Sequence, residues 1–109
     1  MNRGIFITAY TDLKKPADYD TIKAVYDSYY GNESFICILG KNMLPQSKWV
    51  ENSNFVDIQF QIDPRTNKLL LFGTLDNLIK GAAGQAIQNM NLLFQLPEYC
   101  GLTYAPIFP

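Results

Sequence analysis

The sequence predicts an α+β fold. Three observations carry it. Several short segments are rich in β-branched and aromatic residues, two of them flank a single turn, and two longer segments shift to the helical period. The resulting order, β-α-β-(β)-β-β-α, belongs to the α+β class.

Gly4 to Tyr10 (Gly-Ile-Phe-Ile-Thr-Ala-Tyr) reads as a strand. Its nearly continuous apolar character predicts burial on both faces. Lys14-Lys15-Pro16 closes it. Ala17 to Tyr30 reads as a helix, because Ile22, Val25, Tyr26 and Tyr29 recur at i, i+3, i+4 and i+7. Asp18 and Asp20 suit its first turn, where free N–H groups favour negative charge. Gly31-Asn32 ends it.

Phe35 to Leu39 reads as a short buried strand, and Gly40 to Gln46 as a loop. Trp49-Val50 reads as a short strand or an extended stretch. Phe55 to Ile62 alternates Ile58, Phe60 and Ile62 against Asp57, Gln59 and Gln61, the pattern of a strand with one solvated face. Asp63-Pro64-Arg65-Thr66-Asn67 is a turn with proline at a suitable position, and Lys68 to Leu75 is the partner strand of an antiparallel hairpin. Ile58, Phe60, Ile62, Leu69 and Leu71 are expected to face Ile22, Val25 and Tyr26 across a sheet–helix core.

From about Asn77 to Phe94 the period is helical, with Ile79, Ala82, Ala83, Ala86, Ile87, Met90, Leu93 and Phe94 on one side. Leu96-Pro97-Glu98 stops it. The tail from Gly101 to Pro109 is extended and apolar, through Leu102, Tyr104, Ile107 and Phe108.

Composition narrows the function. The 109 residues are 48% apolar and 17% charged, with seven Tyr, seven Phe and one Trp. So many rings on so small a body predict an apolar face left for another part of the protein or another copy of the chain. A net charge of −1, spread evenly, argues against nucleic acid as a partner. No apolar run approaches the ~20 residues of a membrane helix, and the first residues lack signal-peptide anatomy. Two cysteines make no disulfide scaffold, so the context reads as cytoplasmic. There is no histidine, which removes His general-base catalysis and most zinc sites, and no metal site is expected.

Candidate residues each admit a plain reading. Cys37, between two isoleucines, reads as a small core hydrophobe, and Cys100 has no base nearby in sequence; neither is assigned a catalytic role. Arg3 suits a substrate carboxylate or phosphate, and equally a surface charge at a strand edge. Asp57 and Asp63 read as solvated carboxylates. Asn77 and Lys80 open the last helix, where unpaired N–H groups collect. Gly81 and Gly84 each cost about 1 kcal/mol relative to alanine within a helix. They make sense where a neighbouring strand or a cofactor approaches the backbone, close packing being the commoner cause.

The run Asp76-Asn77-Leu78-Ile79-Lys80-Gly81-Ala82-Ala83-Gly84-Gln85-Ala86-Ile87-Gln88-Asn89-Met90-Asn91 resembles a segment near the end of N-acetyl-γ-glutamyl-phosphate reductases. The likeness continues through Phe94, Leu96-Pro97-Glu98 and Gly101-Leu102. Upstream it takes in Arg3-Gly4-Ile5, Tyr29-Tyr30 and Ser53-Asn54-Phe55-Val56-Asp57-Ile58. The resemblance implies the C-terminal part, roughly the last third, of such an enzyme. That part belongs to the mixed or antiparallel-sheet catalytic domain of a glyceraldehyde-3-phosphate-dehydrogenase-like reductase and ends in a C-terminal helix.

On this resemblance, residues 1–76 form part of the catalytic and dimerisation domain. Residues 77–109 form a helix and tail that pack near an N-terminal nucleotide-binding domain. The implied reaction is NADPH-dependent reduction of N-acetylglutamyl 5-phosphate to N-acetylglutamate 5-semialdehyde in arginine biosynthesis. It runs through a cysteine thioester and a histidine acid/base that lie upstream of this part. The isolated chain is then expected to be inactive and to self-associate. Asn77, Gly81, Gly84 and Gln85 are expected near the nicotinamide of NADP, and Arg3 near the substrate. The alternative is a free-standing α+β module that binds a small molecule or a partner.

Overall fold

In the computed structural model, which describes residues 2–107, a mixed four-stranded sheet carries the chain. The elements are β1 (Ile5–Asp12), α1 (Tyr19–Tyr30), β2 (Ile36–Ile38), α2 (Ser47–Val50), β3 (Val56–Asp63) and β4 (Lys68–Leu75). A π-helical turn (Ile79–Ala83) then leads into α3 (Gly84–Leu93). The strand order is β1-β4-β3-β2. β3 and β4 form the expected antiparallel hairpin, with Phe60 opposite Leu71. β1 adds antiparallel to β4, and β2 parallel to β3.

Register puts Val56, Ile58, Phe60, Leu69, Leu71, Ile5 and Ile7 on one face. The core forms there. Phe60 is 0% exposed. Tyr19 and Tyr26 of α1 stack on its ring at centroid distances of 4.8 and 5.0 Å. Asp18 caps α1, its carboxylate accepting from the Thr21 N–H at 2.8 Å.

Several expectations are corrected. β1 is not buried on both faces: it is an edge strand exposed along its length. Val25 is 49% exposed, on the side of α1 away from the sheet. Ser47–Val50 is a single helical turn, so the strand considered at Trp49-Val50 does not form. Asp57 and Gln59 are buried, not solvated. The Gly40–Gln46 loop folds over that face, and the Gln59 side-chain amide donates to the carbonyls of Gly40 and Met43. Asp63 is half-buried and accepts from Arg65 N–H at 2.9 Å and Thr66 Oγ1 at 3.0 Å. Cys37 is exposed, because β2 is a three-residue edge strand and Cys37 lies on the face opposite α1. Burial pushes its thiol pKa up, and the neighbouring Asp57 carboxylate adds to that.

The chain spreads where it should close. Its radius of gyration is 15.3 Å and its extents are 45 × 33 × 19 Å. A compact domain of this length has a radius near 13 Å, roughly. Its accessible surface is 7219 Å², against roughly 6,100 Å² for a folded monomer of this mass. An open apolar groove of about 330 Å³ lies between α1 and β1, lined by Ile5, Ile7, Tyr26, Tyr30, Ile58 and Leu71.

Candidate functional site

The residues singled out from sequence converge where β1 begins and the last helix starts. Asp76, at the end of β4, is 1% exposed. Its Oδ1 accepts from Leu78 N–H at 2.8 Å and Ile79 N–H at 3.2 Å, capping the helix start. Its Oδ2 accepts from Arg3 Nη2 at 2.5 Å and Asn52 N–H at 2.6 Å. Beside it, Asn77 Oδ1 accepts from Gly4 N–H at 2.7 Å.

Two of these donors reach in from unusual backbone. Gly4 has φ 108°, where glycine carries no Cβ penalty. Asn52 has φ 60°, in the left-handed region that asparagine tolerates better than most. Burial pushes the Asp76 carboxyl up, but the N–H groups of Asn52, Leu78 and Ile79 and the Arg3 guanidinium together hold it below the usual carboxylate value.

The helix then starts with a π turn. Gly81 N–H donates to the Asp76 carbonyl at 3.1 Å and Ala83 N–H to the Leu78 carbonyl at 3.0 Å. Each spans one residue more than an α-helical bond. The expected single α-helix from Asn77 to Phe94 is therefore a π turn followed by α3.

The apolar stripe expected on this helix faces away from the body. The buried residues of α3 are Gly84, Gln88 and Asn91, whereas Ile87, Met90, Leu93 and Phe94 face out, Leu93 at 82% exposure. The inward side is polar because it meets polar groups. Gln88 Oε1 accepts from Lys80 Nζ at 2.7 Å and Asn54 Nδ2 at 3.0 Å, and Gln88 Nε2 donates to Glu98 Oε1 at 2.6 Å. Asn91 Nδ2 donates to the carbonyls of Glu98 and Cys100, both at 3.0 Å. In the tail, Leu102 is buried while Tyr104 and Ile107 are exposed. Phe108, also expected in the apolar tail, lies outside the described residues.

The two glycines differ. A Cβ on Gly84 would overlap Asn54 Oδ1 and come within 2.8 Å of Ile79 Cγ2. Close packing explains it. A Cβ on Gly81 would meet nothing nearer than Leu75 Cδ1 at 3.7 Å, and Gly81 is exposed. Nothing within the chain requires glycine there. Gly84→Ala is expected to cost about 1–3 kcal/mol by overpacking, while Gly81→Ala is expected to gain about 0.5–1 kcal/mol from helix propensity. Urea unfolding of both variants checks this; equal shifts would mean that the Asn54 contact does not form.

Asn77, Gly81, Gly84 and Gln85 are the residues expected at the cofactor, and Arg3 the one expected at the substrate. The structure brings Arg3 and Asn77 to one cluster and places Gly81 and Gly84 on the turn that follows. Gln85 lies half-buried, and its side-chain amide donates to its helix neighbour Asn89 at 3.0 Å. Arg3 is neither free nor a plain surface charge: it is ion-paired to Asp76 with 26% of its side chain exposed. Asp76 itself was missed. The Asp-Asn-Leu-Ile start is the N-cap signal that points to it, with Asp76 accepting from the Leu78 and Ile79 N–H groups.

The semialdehyde dehydrogenase dimerisation-domain model matches residues 1–77, and the chain belongs to that family. Within it, the chain is similar to N-acetyl-γ-glutamyl-phosphate reductases. That of Lachnospira eligens is 61% identical over all 109 residues. That of Lachnoclostridium phytofermentans is 58% identical over the same span, and that of Campylobacter jejuni 50% over 104 residues. The chain spans about a third of the length of these curated relatives: 31%, 32% and 30%. In fold it is similar to aspartate semialdehyde dehydrogenase II of Vibrio cholerae, free and complexed with ASA. Both comparisons give a TM-score of 0.65, at 21% and 20% identity, over 85% of this chain and 28% and 27% of that one.

Proposed function

We propose that the chain is the C-terminal part of an N-acetyl-γ-glutamyl-phosphate reductase, a cytoplasmic enzyme of arginine biosynthesis. The intact enzyme reduces N-acetylglutamyl 5-phosphate with NADPH to N-acetylglutamate 5-semialdehyde. Residues 1–76 serve as the dimerisation part of the catalytic domain. Residues 77–109 serve as the helix and tail that close on a nucleotide-binding domain.

One observation carries this reading: α3 packs its polar side on the body and turns Ile87, Met90, Leu93 and Phe94 outward. Exposing such side chains forfeits roughly 1.5–3 kcal/mol each. A helix built this way has its real core elsewhere, and an adjoining domain supplies it. A free-standing module would gain nothing from that pattern.

The cofactor fits the same edge. Gly81 is exposed, so a flat ring can approach its backbone, and the Asn77 amide nitrogen is a donor beside it. Gln85 lies one helical turn further on. NADPH, when bound, supplies hydride. Gly84, walled in by Asn54, keeps the helix close to the body and touches no ligand itself. Arg3, held at Nη2 by Asp76, keeps the exposed part of its guanidinium for an anionic group of the substrate.

The isolated chain is expected to show no NADPH-dependent reduction of N-acetylglutamyl phosphate, because it holds no histidine and no activated thiolate. A chimera of the Lachnospira eligens reductase, with this chain replacing its matching segment, is expected to turn over, and Gly81→Val in the chimera to weaken NADPH binding. An inactive chimera would refute the reading. By light scattering across a dilution series, the isolated chain is expected to self-associate, covering its outward apolar side chains. A monomer at every concentration, with no dye-binding patch, contradicts that expectation.

A further inference from the structure

Asp76 stands where three irregular pieces of backbone meet: the positive-φ turn at Gly4, the left-handed residue Asn52, and the π turn that opens the last helix. An ionised carboxylate has about four acceptor positions. All four are filled, Oδ1 by the N–H groups of Leu78 and Ile79, Oδ2 by Arg3 Nη2 and Asn52 N–H. Asp76 therefore has no capacity left for a ligand, and what it does it does through its neighbours. The Leu78 and Ile79 N–H groups of the helix start are likewise spent on it.

A buried ion pair is a weak device for stability, since apolar side chains of similar volume commonly serve as well. Its use is geometric. Oδ1 fixes the helix start and Oδ2 fixes the start of β1 and the turn at Asn52. Gly4 N–H on Asn77 repeats the link one residue on. A rigid pair of oxygens thus sets the place of the Asn77–Gly81 edge relative to the sheet.

We propose that Asp76 is a positioning residue for the nicotinamide cofactor: it holds the Asn77–Gly81 edge where the ring is met, without touching the ring. The proposal rests on the reading of the chain as part of the reductase. The test is made in the Lachnospira eligens chimera carrying Asp76→Asn or Asp76→Ser. The serine variant keeps a hydroxyl acceptor for the helix cap while releasing Arg3 and Asn52.

The dissociation constant for NADPH, read from the fluorescence of the bound dinucleotide without substrate, is expected to rise about tenfold in either variant, at an unchanged folded fraction, since an ångström of misplacement can cost that much and more. A merely structural residue would lower kcat in proportion to the folded fraction and leave that constant alone. Variants that keep the parental constant overturn the proposal. So does failure of both to yield folded reductase, which would make Asp76 a folding residue. A parental chimera without turnover sinks the reading of function and the proposal with it, and is distinguished because it precedes any substitution at Asp76.

Discussion

Phe60→Ala is expected to cost about 3–5 kcal/mol of folding stability. The ring is fully enclosed, and Tyr19 and Tyr26 stack against it at 4.8 and 5.0 Å. α1 has no buried residue of its own, so these stacked rings are its principal hold on the sheet. Truncation removes the ring from between them and leaves a cavity that neither tyrosine can fill without leaving its rotamer. Phe60→Leu keeps most of the volume and is expected to cost under about 1.5 kcal/mol. Urea unfolding followed by circular dichroism checks both. An unchanged midpoint for the alanine variant would mean that α1 does not dock through this ring.

Asp76→Ala is expected to cost about 3 kcal/mol, the low end for stranding one partner of a buried pair, because Arg3 remains partly exposed. The same substitution removes the helix cap. Its pH dependence has a definite sign. The folded carboxyl sits below its ordinary value. Its contribution is therefore fully present above about pH 4, near the unfolded pKa, and is lost as pH falls through the lower folded pKa. The stability difference between the parent and Asp76→Ala is expected to be flat from neutral pH to about pH 4 and to shrink below it. A difference that grew in acid would mean that the carboxyl is protonated in the folded state.

Much of the fold was legible because it is local. The hairpin follows from the alternation of Ile58, Phe60 and Ile62 with a proline-bearing turn, and both are properties of consecutive residues. The identity of the closing segment was legible for a similar reason: a long unbroken motif needs no tertiary information. Periodicity gave the helical stripe around Ile87, Met90 and Leu93 but no direction for it. A period reports that two sides differ, not which side meets the body. Here Asn54, Lys80 and Glu98 offer the polar groups that draw Gln88 inward, and they come from three separate stretches of chain. The burial of Gln59 has the same cause, since the Gly40 and Met43 carbonyls it meets lie in another stretch of chain. Cys37 failed because an apolar run does not reveal whether its strand is central or an edge. The grouping of Arg3, Asp76 and Asn52 spans most of the chain, and single-sequence reasoning holds no signal for it.

β1 carries a cost that no contact among the described residues removes. It is eight residues long, pairs with β4 along one side, and has its other side unpaired among the described residues. From Ile5 to Thr11 it contains no charge and no proline. Such a segment is a template for cross-β growth, each added strand offering the next the same row of amide and carbonyl groups. The first charges come late, at Asp12 and then Lys14-Lys15 before Pro16, and they act as gatekeepers at one end only. Left without a neighbour at this edge, the strand is an expected route to aggregation that depends on concentration and not on melting temperature.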